Sequence, residues 1–381
     1  MIDALRTASL ALAFDLRKKE IVEVLRELVE RESPTEEPER VSALSRWIAA
    51  WLEGAGIEAR TIPCPPSGDA LVARWGEGEK GTLLLGHLDT VWPVGTLSEI
   101  PFAVEGDRLR GPGVFDMKAG TAVALTVLAA VGRGEVVPKR PVALLLTPDE
   151  ETGSSASAEL LLAEARGREA VLVLEPAADG GAAKIARKGV GVVTAKITGV
   201  AAHAGLEPER GASALLEMAR LAMLAEALGD AQVGTTVVPT LASAGSRKNV
   251  VAERAELTID FRFWTPEEGE RVARAFREYR PVDERVAVTF AGGVERPAME
   301  ASAEALAVYH RAAAIARQLG FDLAPARVGG ASDGNLTAAA GIPTVDGLGP
   351  SGGGAHSRSE HVLASDLPRR AALLAAMLEE E

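Results

Sequence analysis

Cysteine is almost absent from this chain of 381 residues: Cys64 stands alone, which excludes an intrachain disulfide and any cysteine-built metal site. Cationic charge is in deficit, with 41 Lys and Arg against 54 Asp and Glu, a formal net charge of −13. No basic stretch exceeds a few residues, which argues against nucleic acid, whose affinity comes from Lys and Arg on phosphates. No run approaches the ~18 consecutive apolar residues needed to span a bilayer, so no membrane partner is expected. The apolar octet 7–14 runs straight into the charged segment 15–20 with no small-residue cleavage site, which predicts an amphipathic first helix rather than a secretory signal. Cytoplasmic residence is the default expectation. Aromatics are scarce, at 4%, and say little about chemistry. What the chain does have is apolar side chain, 47% hydrophobic, enough to bury large cores. At ~150 residues per domain its length suggests about two domains.

Periodicity predicts helices over 15–32, 40–55, 117–131 and 155–166, with short apolar strands at 57–62, 70–75, 81–86, 142–146 and 170–174. Continuous Val and Leu runs alternating with helices imply a mixed, largely parallel sheet covered by helices on both faces. From 189 the pattern changes to strand 190–198, helix 211–229, strands 232–243 and 254–264, helix 266–279 and strand 285–291. Thr265-Pro-Glu-Glu268 is a helix start, with Thr as N-cap, Pro at the first position and Glu at the third. This β-α-β-β-α-β order is the ferredoxin-like split unit. After Pro297 helices return at 301–318 and from about 366. The expectation is therefore an α/β domain of 1–188 and 297–381, interrupted by an inserted domain at 189–296.

Five histidines are few enough to weigh singly. His87 ends the apolar strand in Thr82-Leu-Leu-Leu-Gly-His-Leu-Asp-Thr90, with Asp89 two residues on. Asp116 sits in Gly111-Pro-Gly-Val-Phe-Asp-Met-Lys118, just before a predicted helix. Glu150 and Glu151 follow one buried strand and Glu175 follows another, while His356 lies in the glycine-rich loop 349–356. Carboxyl ends of strands in open α/β sheets line a shared crevice. Two His and three carboxylates converging there can ligate two divalent cations if one carboxylate bridges. Zinc fits such nitrogen and oxygen donors, and cobalt or manganese can substitute. Asp89 could accept the second ring N–H of His87 and so fix its tautomer. Glu150, left over, suits a base that takes a proton from the attacking water.

The motifs Gly-His-Leu-Asp-Thr, Gly-Val-Phe-Asp-Met-Lys-Ala-Gly, Asp-Glu-Glu-Thr-Gly-Ser and Val-Leu-Glu-Pro, with the late glycine-rich loop of His356, resemble the di-zinc aminoacylase/carboxypeptidase metallopeptidases. The branch they most resemble is the glutamate carboxypeptidases, and the likeness runs from about 85 to 362 in the family's order. It implies that His87, Asp116 and Glu175 hold one zinc and Asp116, Glu151 and His356 the other, with Asp116 bridging. It further implies that Asp89 orients His87, Glu150 is general base and then acid, and the Asp116–Met117 peptide is cis. His203, in Val200-Ala-Ala-His-Ala-Gly205, matches the residue that polarises the scissile carbonyl, and Arg262 with Asn249 would grip a substrate carboxylate. Arg262 could equally be a strand residue paired with Asp260. The family also implies a homodimer through the inserted domain, with His203 reaching into the partner's site.

The expected activity is zinc-dependent hydrolysis of an amide bond beside a free carboxylate, releasing C-terminal glutamate-like residues from small peptides. N-acyl-amino-acid deacylase and dipeptidase are the alternatives, and a non-catalytic peptide- or metal-binding relative is a remote one. Ala331 stands where several relatives place a Thr, which weakens a desuccinylase assignment. Gly330-Ala-Ser-Asp-Gly334 and Gly349-Pro-Ser-Gly-Gly353 both fit the G-x-S-x-G nucleophile pattern, but that reading leaves the five residues His87, Asp116, Glu150, Glu151 and Glu175 without purpose. His310 and His361 read as structural.

Overall fold

The computed structural model describes residues 3–78 and 80–380, which separate into two compact units. The first comprises the described residues within 1–186, 301–328 and 332–381, and the second 187–300 with 329–331. In the first, a six-stranded sheet runs in the order Glu58–Pro63, Asp69–Trp75, Val142–Thr147, Thr82–His87, Ala170–Val173, Thr344–Val345. The first two junctions are antiparallel and the remaining three parallel. Alternate strand residues serve opposite faces, as the pleat requires. Leu84, Leu144, Leu146 and Leu172 join a core with helices Ala4–Leu16, Lys18–Val29, Pro38–Gly54, Ala119–Gly132, Ala303–Gln318 and Asp366–Glu379. Leu83, Leu85, Leu145, Val171 and Val173 point the other way, onto Leu161 and Ala165 of helix Ala158–Ala165. This two-sided burial is why the strands read as unbroken apolar runs.

Several boundaries differ from the sequence expectation. The first helix expected from the octet 7–14 runs Ala4–Leu16, and the one expected at 15–32 is shorter, Lys18–Val29, the two being broken at Arg17. The helix expected from 117 begins at Ala119, because in the preceding turn Val114–Lys118 the residues Asp116 and Met117 leave helical geometry. The expectation that no run reaches spanning length is also corrected. Val114–Gly132 is long and apolar enough to cross a bilayer, and 89% of its most apolar window is buried inside the protein. A small sheet of Ala103–Glu105, Arg108–Arg110, His361–Leu363 and Gly352–Gly353 was not expected, since strands of two or three residues are too short to show alternation.

The second unit is a four-stranded antiparallel sheet, ordered Thr236–Ala244, Arg254–Phe263, Gly189–Thr198, Ala287–Arg296. Leu257, Ile259, Phe261 and Phe263 alternate inward, against Leu221 and Ala225 of helix Ala214–Leu228 and Val272 and Phe276 of helix Pro266–Arg277. The Thr265 side chain caps the latter by accepting from the Glu268 N–H.

Gly191 lies directly opposite Phe261, and a Cβ added there would overlap the Phe261 ring. Gly191→Ala should therefore destabilise the second unit by about 1–3 kcal/mol, the usual cost of overpacking. Chemical denaturation checks this, and an unchanged midpoint would show that the ring yields without cost.

Candidate metal centre

Strands Val142–Thr147, Thr82–His87 and Ala170–Val173 are adjacent and parallel, so their carboxyl ends open on one edge of the sheet. His87 is the last residue of the central strand, while Glu150 and Glu151 form a short 3-10 turn past one neighbour. Glu175 lies just past the other. Asp116 arrives from the turn before Ala119–Gly132, where the Asp116–Met117 peptide is cis. Gly86 leaves room for the Met117 side chain, whose sulfur accepts from the His87 N–H at 3.3 Å.

The imidazoles are bracketed by carboxylates. His87 Nε2 lies 3.2 Å from Asp116 Oδ1 and 3.4 Å from Glu175 Oε1. His356 Nε2 lies 3.4 Å from Asp116 Oδ2 and 3.2 Å from Glu151 Oε2. Asp116 thus faces one histidine with each oxygen. Donor atoms of His87, Asp116 and Glu151 fall within 4.8 Å of one another, as do those of His87, Glu150 and Glu175. Proximity alone therefore does not separate Glu150 from the other carboxylates.

Asp89 presents two acceptors to His87. The nearest acceptor for His87 Nδ1 is the Asp89 backbone carbonyl at 2.9 Å, with the carboxylate farther away at 3.4 Å. The carboxylate also serves the acidic turn: Oδ1 accepts from the Glu150 N–H, and Oδ2 from the Glu151 N–H and the Thr35 hydroxyl. It holds the acidic turn in place, and the carbonyl sets the His87 tautomer.

That tautomer is the test of what the cluster accommodates. A carbonyl can only accept, so Nδ1 of His87 carries the hydrogen, and a neutral ring then turns the bare lone pair of Nε2 onto two carboxylates. Glu151 Oε1 is also buried with no partner. Either extra protons or cations must fill these positions, and the nitrogen and oxygen donors suit divalent metal. Without cations the protons win. Burial works against charge on His87, yet hydrogen bonds to Asp116, Asp89 and Glu175 carry its pKa well above the ordinary value. Asp116, then Glu151, push the His356 ring up to about 10. Burial opposes ionisation of Asp116 too, but hydrogen bonds from His356 and His87 hold it well below the usual carboxylate range.

Other sequence-selected residues lie in the second unit. His203 is exposed, and its Nδ1 accepts from the N–H groups of Gly205 and Leu206 at 3.2 Å each, so the neutral ring carries its hydrogen on Nε2. Asn249 is close by in that unit, its carbonyl accepting from the Ala204 N–H. Arg262 grips Asp260 through Nε and Nη2, with Nη2 to Oδ2 at 2.8 Å, so one edge of its fork is taken. Neither G-x-S-x-G serine is a free nucleophile: Ser332 is fully buried and donates to Asp346, and Ser351 donates to Asp366. His361 Nδ1 lies 3.0 Å from the Ser359 carbonyl, and His310 is exposed on a helix.

Three residues had no signal strong enough to single them out. Asp333 accepts from Thr147 and Ser154, bracing the Glu150–Glu151 turn. Lys118 donates to the Arg31 carbonyl, and burial pulls its pKa down to about 7. Glu360, four residues beyond His356, is a buried acid in an otherwise polar, exposed loop.

The model of the peptidase family M20/M25/M40 matches residues 83–380. Carboxypeptidase G2 of Pseudomonas sp. (strain RS-16) is 32% identical over 373 residues, covering 94% of this chain and 88% of that protein. Among solved structures, aminopeptidase PepT of Bacillus cereus superposes with a TM-score of 0.82 at 23% identity, covering 95% of this chain and 98% of that one. The dinuclear metal-binding M20 peptidase YXEP of Bacillus subtilis gives a TM-score of 0.73 at 18% identity, covering 96% and 98%.

A charged His356 stabilises the metal-free fold fully below about pH 6.5, its ordinary value, and that contribution is lost as pH rises through about 10. In chelator-treated protein, ring-proton NMR should show His356 titrating near 10, and Glu151→Gln should lower it. A ring titrating at its ordinary value in the unaltered chain would contradict the charge arrangement.

Proposed function

The chain belongs to peptidase family M20/M25/M40, and from that premise we propose that it is a two-metal exopeptidase that cleaves an amide bond beside a free carboxylate, releasing C-terminal glutamate-like residues. The observation that carries this reading is the pair of imidazole nitrogens turned onto Asp116, with Glu151 and Glu175 on either side. In it, His87, Asp116 and Glu175 hold one divalent cation and Asp116, Glu151 and His356 the other, zinc being the metal proposed. Bound there, such cations polarise a carbonyl and acidify water.

The chain's own residues do the rest. Glu150, fixed through its backbone N–H on Asp89, takes the proton from the attacking water and delivers it to the departing amine nitrogen. His203 offers Nε2–H to the oxygen of the carbonyl under attack. Arg262 and Asn249 receive the substrate carboxylate, for which Arg262 exchanges or shares its Asp260 partner. The carboxypeptidase reading is preferred over a deacylase because carboxypeptidase G2 matches at 32% identity across most of both chains.

We propose further that two chains pair through the second unit. Its edge strand Thr236–Ala244 exposes Val238 and Leu241, and helix Ala214–Leu228 exposes Leu215, Leu216 and Met223. Apolar surface on a free sheet edge invites a twofold partner.

Glu150→Gln should keep two metals per chain and lose about 10²–10⁴ in rate, while Glu151→Gln should lose metal. The assay uses peptides ending in glutamate beside N-acyl amino acids, with metal counted by elemental analysis. Near-normal turnover of Glu150→Gln would remove it as the base, and faster cleavage of the N-acyl substrates would make the enzyme a deacylase.

Pairing is tested by mixing. His203→Ala and Glu150→Gln chains, each nearly inactive, are refolded together. If His203 serves the partner's site, one site in each mixed dimer regains both groups and activity returns. No recovery, with exchange of chains confirmed, rules out a role across the interface.

A further inference from the structure

We propose that Glu360 is the positioning residue for the half of the metal centre that contains His356, an inference that rests on the two-metal reading above. Glu360 is 2% exposed and its carboxylate is the hub of the turn that carries Asp116. Oε1 accepts from the N–H groups of Phe115 at 2.9 Å and Asp116 at 3.1 Å. Oε2 accepts from the Gly113 N–H at 3.0 Å and from Trp92 Nε1 at 2.7 Å.

Those amides need an outside acceptor. Gly113, Phe115 and Asp116 stand at the start of the turn Val114–Lys118, where N–H groups have no partner within a helix, and buried N–H groups left unpaired are costly. Only a carboxylate presents two oxygens that can each accept twice. An amide offers one such oxygen and turns an NH₂ donor towards the remaining N–H groups. The backbone of the same residue belongs to the loop of His356. Glu360 closes the turn that begins just before that histidine, through Glu360 N–H to the Ser357 carbonyl and Ser357 N–H to the Gly354 carbonyl, both 2.9 Å. One carboxylate therefore ties the turn bearing Asp116 to the loop bearing His356.

The two histidines differ in how they are held. His87 ends a strand paired on both sides and its side chain is 1% exposed. His356 sits in a loop at φ +58, with its side chain 50% exposed. Loss of the Glu360 tie should accordingly weaken the cation held by His356 far more than the one held by His87.

The test titrates metal-free protein with Co²⁺ against a chelating indicator, following visible absorption and the thermal midpoint of the metal-free form. Wild-type protein should take two Co²⁺ per chain; fewer would overturn the two-metal reading and this one with it. With two bound in the wild type, Glu360→Gln should keep one Co²⁺ at wild-type affinity and bind the other about 10–100-fold more weakly. Raising Co²⁺ should then restore turnover at unchanged KM. A purely structural role would shift the thermal midpoint without splitting the two affinities. Both affinities unchanged, or both weakened alike, overturns the assignment of Glu360. Should Glu360→Gln fail to fold, Glu360→Asp is read by the same criteria, since it keeps the charge but is one methylene too short to reach both pairs of donors.

Discussion

Two imidazole nitrogens and several carboxylate oxygens are held within about hydrogen-bonding range with too few hydrogens to go round, and much of the first unit serves to keep them there. His87 Nε2 faces Asp116 and Glu175, and His356 Nε2 faces Asp116 and Glu151. Left to themselves, like charges this close would separate or neutralise. Here burial and rigid attachment prevent separation, so positive charge must come to the cluster, as protons on the rings or as metal ions. The raised histidine pKa values and the orphaned Glu151 oxygen express the same demand.

Holding such a cluster requires backbone that is not free to relax. Three neighbouring parallel strands deliver His87, the Glu150–Glu151 turn and Glu175 to one sheet edge, and helices on both faces immobilise those strands. What the strands cannot reach, buried acids do. Asp89 gathers the backbone N–H groups of the acidic turn, Asp333 braces the same turn through Thr147 and Ser154, and Glu360 gathers those around Asp116. Carboxylates thus appear in two capacities. Some face the imidazoles, and others accept from backbone amides one layer out, which is how outer groups orient metal ligands in general.

The second unit follows different physics. Its sheet has helices on one face only, so its strands alternate inward Leu, Ile and Phe with outward Thr, Asp and Arg. Within it Arg262 is paired with its strand neighbour Asp260, the planar guanidinium meeting the carboxylate through Nε and Nη2.

Legible in the sequence alone were the two-sided parallel sheet, the change of pattern near 189, and the residues of the cluster, because each announces itself locally. Unbroken apolar strands mean burial on both faces, alternation means one face, and an acid or histidine directly after a buried strand has few places to go but the sheet edge. Resemblance to a family supplied what spacing could not, including the cis peptide at Asp116–Met117 and the joining of His356 to residues some 200 positions earlier. Tertiary structure alone decided the finer points. Asp89 directs its carbonyl at His87 and its carboxylate at the Glu150–Glu151 amides. The long apolar stretch 114–132 is a core helix entered through an irregular turn. Glu360 reads as one more loop acid until the fold buries it beneath Asp116. The reason is common to all three: what a group packs against or bonds to depends on distances between segments far apart in the chain, and those distances exist only once the sheet has formed.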